Sequence, residues 1–385
     1  MTQHIYIHEF AVACALGADA EDVQRNLLSP VPPTVRERMR LYDGRSVPAG
    51  VLPFELTDEP SESRCNLVAD HCLASLGRAI AHHMSLVGPR RVAVVVGTST
   101  SGVRETGAAF KSFIKRGNWP KNFRVSLQEL GDTAAHVARS IGAQGPIYGI
   151  STACTSGAKA LASAARLIQA GLCDVAVGGG IDSLCDLTLN GFSALESLSE
   201  NVCNPFSIRR RGINLGEGGA LFVLSPNPSS MRLAGWGESA DAYHISAPDP
   251  EGTGAEAAMR RALSRAGCDA GDIGYLNLHG TATKLNDLME ARAVSRVFGF
   301  DLPCSSTKPM TGHMLGAAGA CEAAFTMMAL RSRRLPAHIW DGEVDPEMPP
   351  VRLVARDGEA RDMRRAMSCS YAFGGNNIAL ILESA

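Results

Sequence analysis

Cys154 stands where a thiol can become a nucleophile. It closes the run Ile150-Ser151-Thr152-Ala153-Cys154-Thr155-Ser156-Gly157, with an apolar strand before it and the helix formers Ala158 to Ile168 after it. A sulfur at a strand-to-helix turn faces the positive end of the helix dipole and its unpaired N–H groups, which favour a thiolate over a thiol. A buried core residue is the commoner fate of a cysteine. The turn leaves both readings open, with the logic of a nucleophile elbow although GxSxG is absent. Two histidines sit in comparable places. His279 ends the apolar strand Gly274 to Leu278 and precedes Gly280, Thr281, Ala282 and Thr283. His313 lies in the turn Lys308-Pro309-Met310-Thr311-Gly312-His313-Met314. A polar ring at a strand's carboxyl end is where α/β proteins put ligand chemistry, though a pair of hydrogen-bonded structural histidines remains open on these grounds. No further Asp, Glu or His recurs beside them at ligand spacing, so no metal is expected.

The elements that must position these groups are short. Apolar, β-branched runs recur at Ile5 to Val12, Arg91 to Gly97, Pro146 to Ser151, Asp174 to Gly178, Ala220 to Leu224, Met231 to Trp236, Gly274 to Leu278 and Ile378 to Leu382, with Ala-rich helical stretches between several of them. The class is therefore α/β with buried, mixed sheets. A faint internal echo sets the Cys154 turn and its Ala-rich run beside Cys304 to Gly312 and the run to Leu330, and Val92 to Thr98 beside Tyr275 to Thr281. Two related halves follow, residues 1–228 and 229–385, joined where Pro226 to Ser230 interrupt the pattern. Residues 30 to 62, rich in prolines and charges, read as an irregular surface excursion. Neither Tyr371-Ala372-Phe373-Gly374-Gly375-Asn376-Asn377 nor Gly178-Gly179-Gly180 makes a phosphate loop, because no helix with Lys-Ser/Thr follows. The first glycine pair could instead free a backbone N–H for an oxyanion while Phe373 covers the site.

Composition narrows the class. A chain of 385 residues, 45% of them apolar, can bury a large core. A net charge of −2 points to neither nucleic acid nor a membrane surface. Met1 to Ala20 lacks a basic n-region, and the longest apolar runs fall far short of the ~20 residues that span a bilayer, so a soluble cytosolic protein is expected. Eleven cysteines without a CxxC pair argue against disulfides and zinc ribbons and fit a reducing compartment.

Together these segments resemble the β-ketoacyl synthases I and II of the thiolase superfamily. The resemblance rests on Thr152 to Gly157, on Asn277 to Thr283 with Asp287, on Ser305 to Gly319 with Glu322, and on Phe373 to Asn377, in the family's order; Asn204-Pro205-Phe206 and Gly216-Glu217-Gly218 add to it. It implies a five-layered αβαβα fold of two duplicated halves, no cofactor, and an acyl carrier protein as partner. By position Cys154 accepts the acyl chain, while His279 and His313 assist decarboxylation of a malonyl-carrier thioester and hold the resulting enolate. The backbone N–H groups of Cys154 and Phe373 form the oxyanion hole. Lys308 and Glu322 match a buried supporting ion pair, Thr281 and Thr283 hold the pantetheine arm, and Phe373 gates the site. Phe192, Gly374 and Asn377 fall on the substrate, and Thr106 near the floor of the acyl pocket, where its small side chain suits a long or rigid chain.

Departures from the family refine this. The stretch around Ser61 to Leu76 is shortened, Arg210-Arg211-Gly212 replaces Arg-Asp-Gly, Glu196 stands where an arginine often meets the carrier protein, and Ala372 and Asn376 replace Gly and Thr near the gate. They resemble aryl-polyene-type synthases. Lys111, Lys115, Arg116, Lys121 and Arg124, or Arg209 to Arg211, could meet an acidic carrier protein, though a basic run is by default a solvated face. The assembly implied is a homodimer, or a heterodimer with a ketosynthase-like chain length factor. A thiolase would use a second cysteine, and ketoacyl synthase III or chalcone-type enzymes an Asn, where this chain has a second histidine; a chain length factor would lack Cys154. A thiolase-like acyltransferase that does not elongate is the remaining alternative.

Overall fold

A computed structural model describes residues 3–56, 62–355 and 359–385. Its main sheet has ten strands, in the order Cys304–Ser305, Ile273–Asn277, Arg365–Tyr371, Asn376–Ser384, Met231–Ala240, Ile5–Ala13, Gly218–Ser225, Val175–Asp182, Val92–Gly97 and Ile147–Ile150. From the middle outward the pairing is the same in both directions. Ile5–Ala13, Gly218–Ser225 and Val175–Asp182 pair antiparallel, and Val92–Gly97 then joins in parallel and is flanked in parallel by Ile147–Ile150. Met231–Ala240, Asn376–Ser384 and Arg365–Tyr371 repeat the antiparallel part, and Ile273–Asn277 with Cys304–Ser305 the parallel part. The two sets join where Ile5, Tyr6 and Ile7 pair with Leu233, Arg232 and Met231. The echo read from the sequence is thus a topological duplication, with Val92–Gly97 equivalent to Ile273–Asn277.

Three helical layers complete the architecture. The helices Arg64–Val87 and Asp132–Ile141 cover the outer face of the first half, and Thr253–Ala266 and Lys284–Phe298 that of the second, each over its own apolar cluster. Ser156–Gln169 and Ala318–Ser332 pack against each other inside, between the half-sheets. Ala318 to Leu330 is buried on every side, which explains why no amphipathic stripe marks it. Small residues let these two helices and the sheet approach closely. A Cβ on Gly180 would lie 2.8 Å from Gly157 Cα and 3.0 Å from Gly316 O.

Two features were not read from the sequence. Arg365–Tyr371 is a fully paired strand whose Ser368, Cys369 and Ser370 lack β-branching; burial, not propensity, makes it a strand. Within residues 30 to 62, expected to be irregular, Glu37–Arg40 and Ser46–Gly50 pair and join Leu215–Gly216 in a three-stranded sheet, with Val47 and Ala49 buried; residues 57–61 of that stretch lie outside the described residues. Pro48 disguised this strand, the middle one of the three, which tolerates it because the parallel pairing with Leu215–Gly216 begins only at Ala49. Around Ser61 to Leu76, where Ser61 is again outside the described residues, a 24-residue helix starts at Arg64 after the N-cap Ser63.

Gly180→Val should overpack the contact between the halves and lower unfolding stability by about 1–3 kcal/mol or more, read as a fall in Tm, whereas Gly271→Ala, with open space around its Cβ, should leave Tm nearly unmoved.

Candidate active site

The turn that presents Cys154 is built from its own side chains. Ala153 adopts a left-handed φ of 53°, which a non-glycine residue holds only when its neighbours impose it. Ser156 Oγ accepts the Thr152 N–H (2.9 Å) and donates to Ala153 O (2.6 Å), while Thr155 Oγ1 donates to Thr152 O (2.7 Å). The hydroxyls that a helix start prefers therefore lock the elbow instead. Cys154 is buried, two residues before the first helical residue Ser156. The expectation of a resting thiolate is overturned. Burial pushes the Cys154 pKa up to about 11, and the Lys308 charge with the N–H groups of Cys154 and Phe373 only partly offset that. The sulfur rests as a thiol, already surrounded by the groups that would hold negative charge.

His313 Nε2 lies 3.1 Å from Cys154 Sγ. Its Nδ1 accepts the Leu315 N–H (3.1 Å), so in the neutral ring the proton is on Nε2 and points at the sulfur. The His279 ring stands 5.2 Å away at 85° to it. Lys308 Nζ, 3.5 Å from His279 Nδ1, also donates to the His279 carbonyl and to Glu322 Oε1 (2.6 Å). An ammonium on that side leaves Nδ1 as the acceptor, so Nε2 of His279 is a donor too. Burial and then Lys308 hold both histidines well below the ordinary pKa, with each ring's neighbourhood keeping it uncharged at neutral pH. Behind them, Glu290 accepts the His279 and Gly280 N–H groups, both at 2.7 Å, and burial pushes its carboxyl up to about 8. Asp287 accepts from Phe206 and Ala282 and is raised by burial to about 6. The ligand atoms of Cys154, His279 and His313 lie within 4.8 Å of one another. With Nδ1 of each ring already accepting a proton donor, Nε2 offers a hydrogen rather than the lone pair a metal needs.

These groups open on a narrow cavity that Phe192, Thr281, Thr283 and Phe373 also line, as expected. The Phe192 and Phe373 rings pack at 5.8 Å between centres, tilted by 41°, along the cavity wall. Lys308 and Glu322, each 1% exposed, sit behind the histidines. Other expected residues lie elsewhere. Thr106 lines a separate hollow of about 910 Å³ with Arg104, Leu184 and Cys185. Gly374 turns outward to donate its N–H to Ile245 O, and the Asn377 amide is occupied by Asp241 Oδ1 (2.6 Å) beneath the turn. Ser197, Ile213, Asn286 and Tyr371 line the cavity and were not singled out, nor was Glu290. Glu290 had one legible signal: it follows Asp287 by three positions on the helix after His279, hence on the same face. Arg210 is buried against Asp345 (2.5 Å) and so is no docking group; Lys111 pairs with Asp186 and Arg124 with Glu62.

The descriptions "Beta-ketoacyl synthase, N-terminal domain" and "Beta-ketoacyl synthase, C-terminal domain" match residues 65–229 and 231–340. The chain belongs to the β-ketoacyl synthase family. It is 34% identical to 3-oxoacyl-[acyl-carrier-protein] synthase 2 of Staphylococcus aureus over 76% of this chain and 77% of that one, and 32% identical to nodulation protein E of Rhizobium meliloti over the whole of both. In three dimensions it is similar to a chain of the Xenorhabdus doucetiae complex of a ketosynthase with its chain length factor, with a TM-score of 0.95 at 40% identity, covering 100% of this chain and 98% of that one. The synthase fold of mixed sheets and two duplicated halves is therefore the fold of this chain.

His338 supports the site from below: Nδ1 accepts the Ser306 N–H and Nε2 donates to Pro205 O, both at 3.0 Å, and burial lowers its pKa to about 4. A folded pKa below the unfolded 6.5 stabilises the fold above pH 6.5, and that contribution is lost as pH falls toward 4. Glu290 and Asp287, shifted upward, change stability in the opposite sense, so a difference measurement is needed. The destabilisation caused by His338→Gln should shrink by about 2 kcal/mol between pH 7 and pH 5, measured by urea unfolding of both proteins at each pH.

Proposed function

We propose that this synthase catalyses decarboxylative Claisen condensation, joining an acyl group held on Cys154 to a malonyl-acyl carrier protein and releasing a β-ketoacyl-acyl carrier protein. The observation that carries the reading is the convergence of two neutral imidazoles, both N–H outward, on one buried sulfur.

In the first step Cys154 Sγ attacks the acyl thioester. The carbon–sulfur bond to pantetheine breaks, and the proton leaving Cys154 is the one its departing thiolate takes up. The Cys154 and Phe373 N–H groups receive the oxyanion. In the second step the malonyl carboxylate leaves as carbon dioxide, and its bonding pair passes to an enolate whose oxygen the Nε2–H groups of His279 and His313 hold. Neutral donors suit this task because the charge appears only as the bond breaks. Last, the enolate carbon bonds to the acyl carbon, the carbon–sulfur bond to Cys154 breaks, and the departing thiolate takes one proton from water to return to the resting thiol. Lys308 and Glu322 position His279; Thr281 and Thr283, whose hydroxyls lie 3.1 Å apart, hold the pantetheine arm. In this reading residues 1–228 bring the nucleophile and residues 229–385 the two histidines.

The partners are an acylated and malonylated carrier protein and a second synthase-like subunit, either another copy or a chain length factor like that of the Xenorhabdus complex. The departures at Arg210 to Gly212 and at the gate favour a specialised, aryl-polyene-type product over a primary fatty acid. A reducing cytosol is the compartment we propose, since all eleven cysteines are free and ten are buried; among the described residues no helix is long and apolar enough to cross a membrane.

Incubation with both carrier-protein substrates, followed by mass spectrometry, should give the ketoacyl product. Cys154→Ala should abolish condensation and keep or raise malonyl decarboxylation, while His313→Ala should lower decarboxylation on the order of 10²–10³-fold. A ketoacyl product from Cys154→Ala would overturn the mechanism. Acyl transfer without carbon–carbon bond formation in the wild type would favour the non-elongating acyltransferase.

A further inference from the structure

Lys159 lies on the helix that starts two residues after Cys154, and its Nζ donates to Asn376 Oδ1 at 2.7 Å. Asn376 closes the turn carrying Phe373. Its carbonyl accepts the Ala372 N–H (2.8 Å), Gly375 N–H bonds to Ala372 O (3.0 Å), and Gly374 and Gly375 take left-handed φ of 83° and 75°. Two adjacent glycines make the turn's backbone permissive, so its position must come from outside contacts. On the second-half side these are Gly374 N–H to Ile245 O and Asp241 N–H to Gly375 O, both 2.8 Å. Toward the first half the turn meets Phe192 through the Phe373 ring and Lys159 through Asn376.

The lysine gives up hydration for this contact. It is half-buried, and burial lowers its pKa, as does Arg166, against the pull of Glu238. The Glu238 carboxylate is itself bound to Arg166. Freezing a long side chain costs rotamer freedom, and a half-buried ammonium with an amide partner gains little in return. What the contact does achieve is a direct tie between the helix that sets Cys154 and the turn that sets the Phe373 N–H.

We propose that Lys159 is a positioning residue of the condensing reaction, holding, through Asn376, the Phe373 turn at a fixed distance over Cys154. The inference rests on the reading of Phe373 N–H as an oxyanion donor. Without the tie the turn moves away, the donor misses the oxyanion, and the Phe373 ring uncovers the sulfur. Malonyl decarboxylation depends on His279 and His313 and does not share this requirement.

The test compares Lys159→Met, Asn376→Leu, their double variant and Lys159→Arg for acyl transfer onto Cys154, malonyl decarboxylation, alkylation of Cys154 by iodoacetamide, and Tm. Either single change should slow acyl transfer roughly tenfold, speed alkylation severalfold and alter decarboxylation less than about twofold. The double variant should be no slower than the singles, because both remove one contact, and Lys159→Arg should recover most of the rate. Wild-type rates of transfer and alkylation in Lys159→Met would overturn the proposal. So would losses that multiply in the double variant, or acyl transfer and decarboxylation that fall together with Tm. Should the wild type accept no acyl group at all, the condensing function fails; the alkylation rates still decide whether Lys159 holds the turn.

Discussion

The site exists because the two halves meet without a Cβ between them. Gly157, Gly180 and Gly316 bring the start of one central helix, the strand beneath it and the loop before the other central helix into backbone contact. The Asp182 carboxylate sits in the same place and accepts from Thr98, Ser99 and Thr100 of its own half and from Gly316 of the other. This junction fixes the offset between the Cys154 elbow and the loop ending at Gly316, which carries His313. Angstrom-level placement of a nucleophile against its hydrogen-bond donors is what the barrier is sensitive to, and here it is set by packing rather than by the reactive groups themselves.

Burial then decides the charge states. The same withdrawal from water raises the thiol, lowers both imidazoles and raises the carboxyl of Glu322. The thiol, both imidazoles and the Glu322 carboxyl are each pushed toward the uncharged form, with Lys308 bound to Glu322 behind the rings. In such surroundings a donor N–H interacts far more strongly with newly formed negative charge than it would in water. A chain with a net charge of only −2 thus carries a strongly biased interior.

Much of this was legible in the sequence. Cys154, His279 and His313 each terminate or follow a short apolar strand, and the repeat of that pattern betrayed the duplication that brings them together. Where the reading failed, the cause was tertiary. Helix-dipole reasoning made Cys154 a thiolate because it ignored the desolvation of an enclosed sulfur. Arg210 looked like a surface cation until the fold wrapped Asp345 and the Lys284 carbonyl around it. Asn377 has the chemistry of a ligand group, but its amide is satisfied by Asp241. Glu290 escaped notice because its role is to accept two backbone N–H groups, which only its spacing from Asp287 on the helix hints at.

One feature of the sheet reaches beyond the single chain. Among the described residues Ile147–Ile150 has a strand on one side only, and Ile147 is 39% exposed; four residues after the strand ends comes the Cys154 sulfur. A rim strand offers unpaired amides and carbonyls to any neighbouring strand. The elbow therefore springs from a rim strand of the sheet, so a neighbour that completes the ladder there stiffens the base on which Cys154 stands.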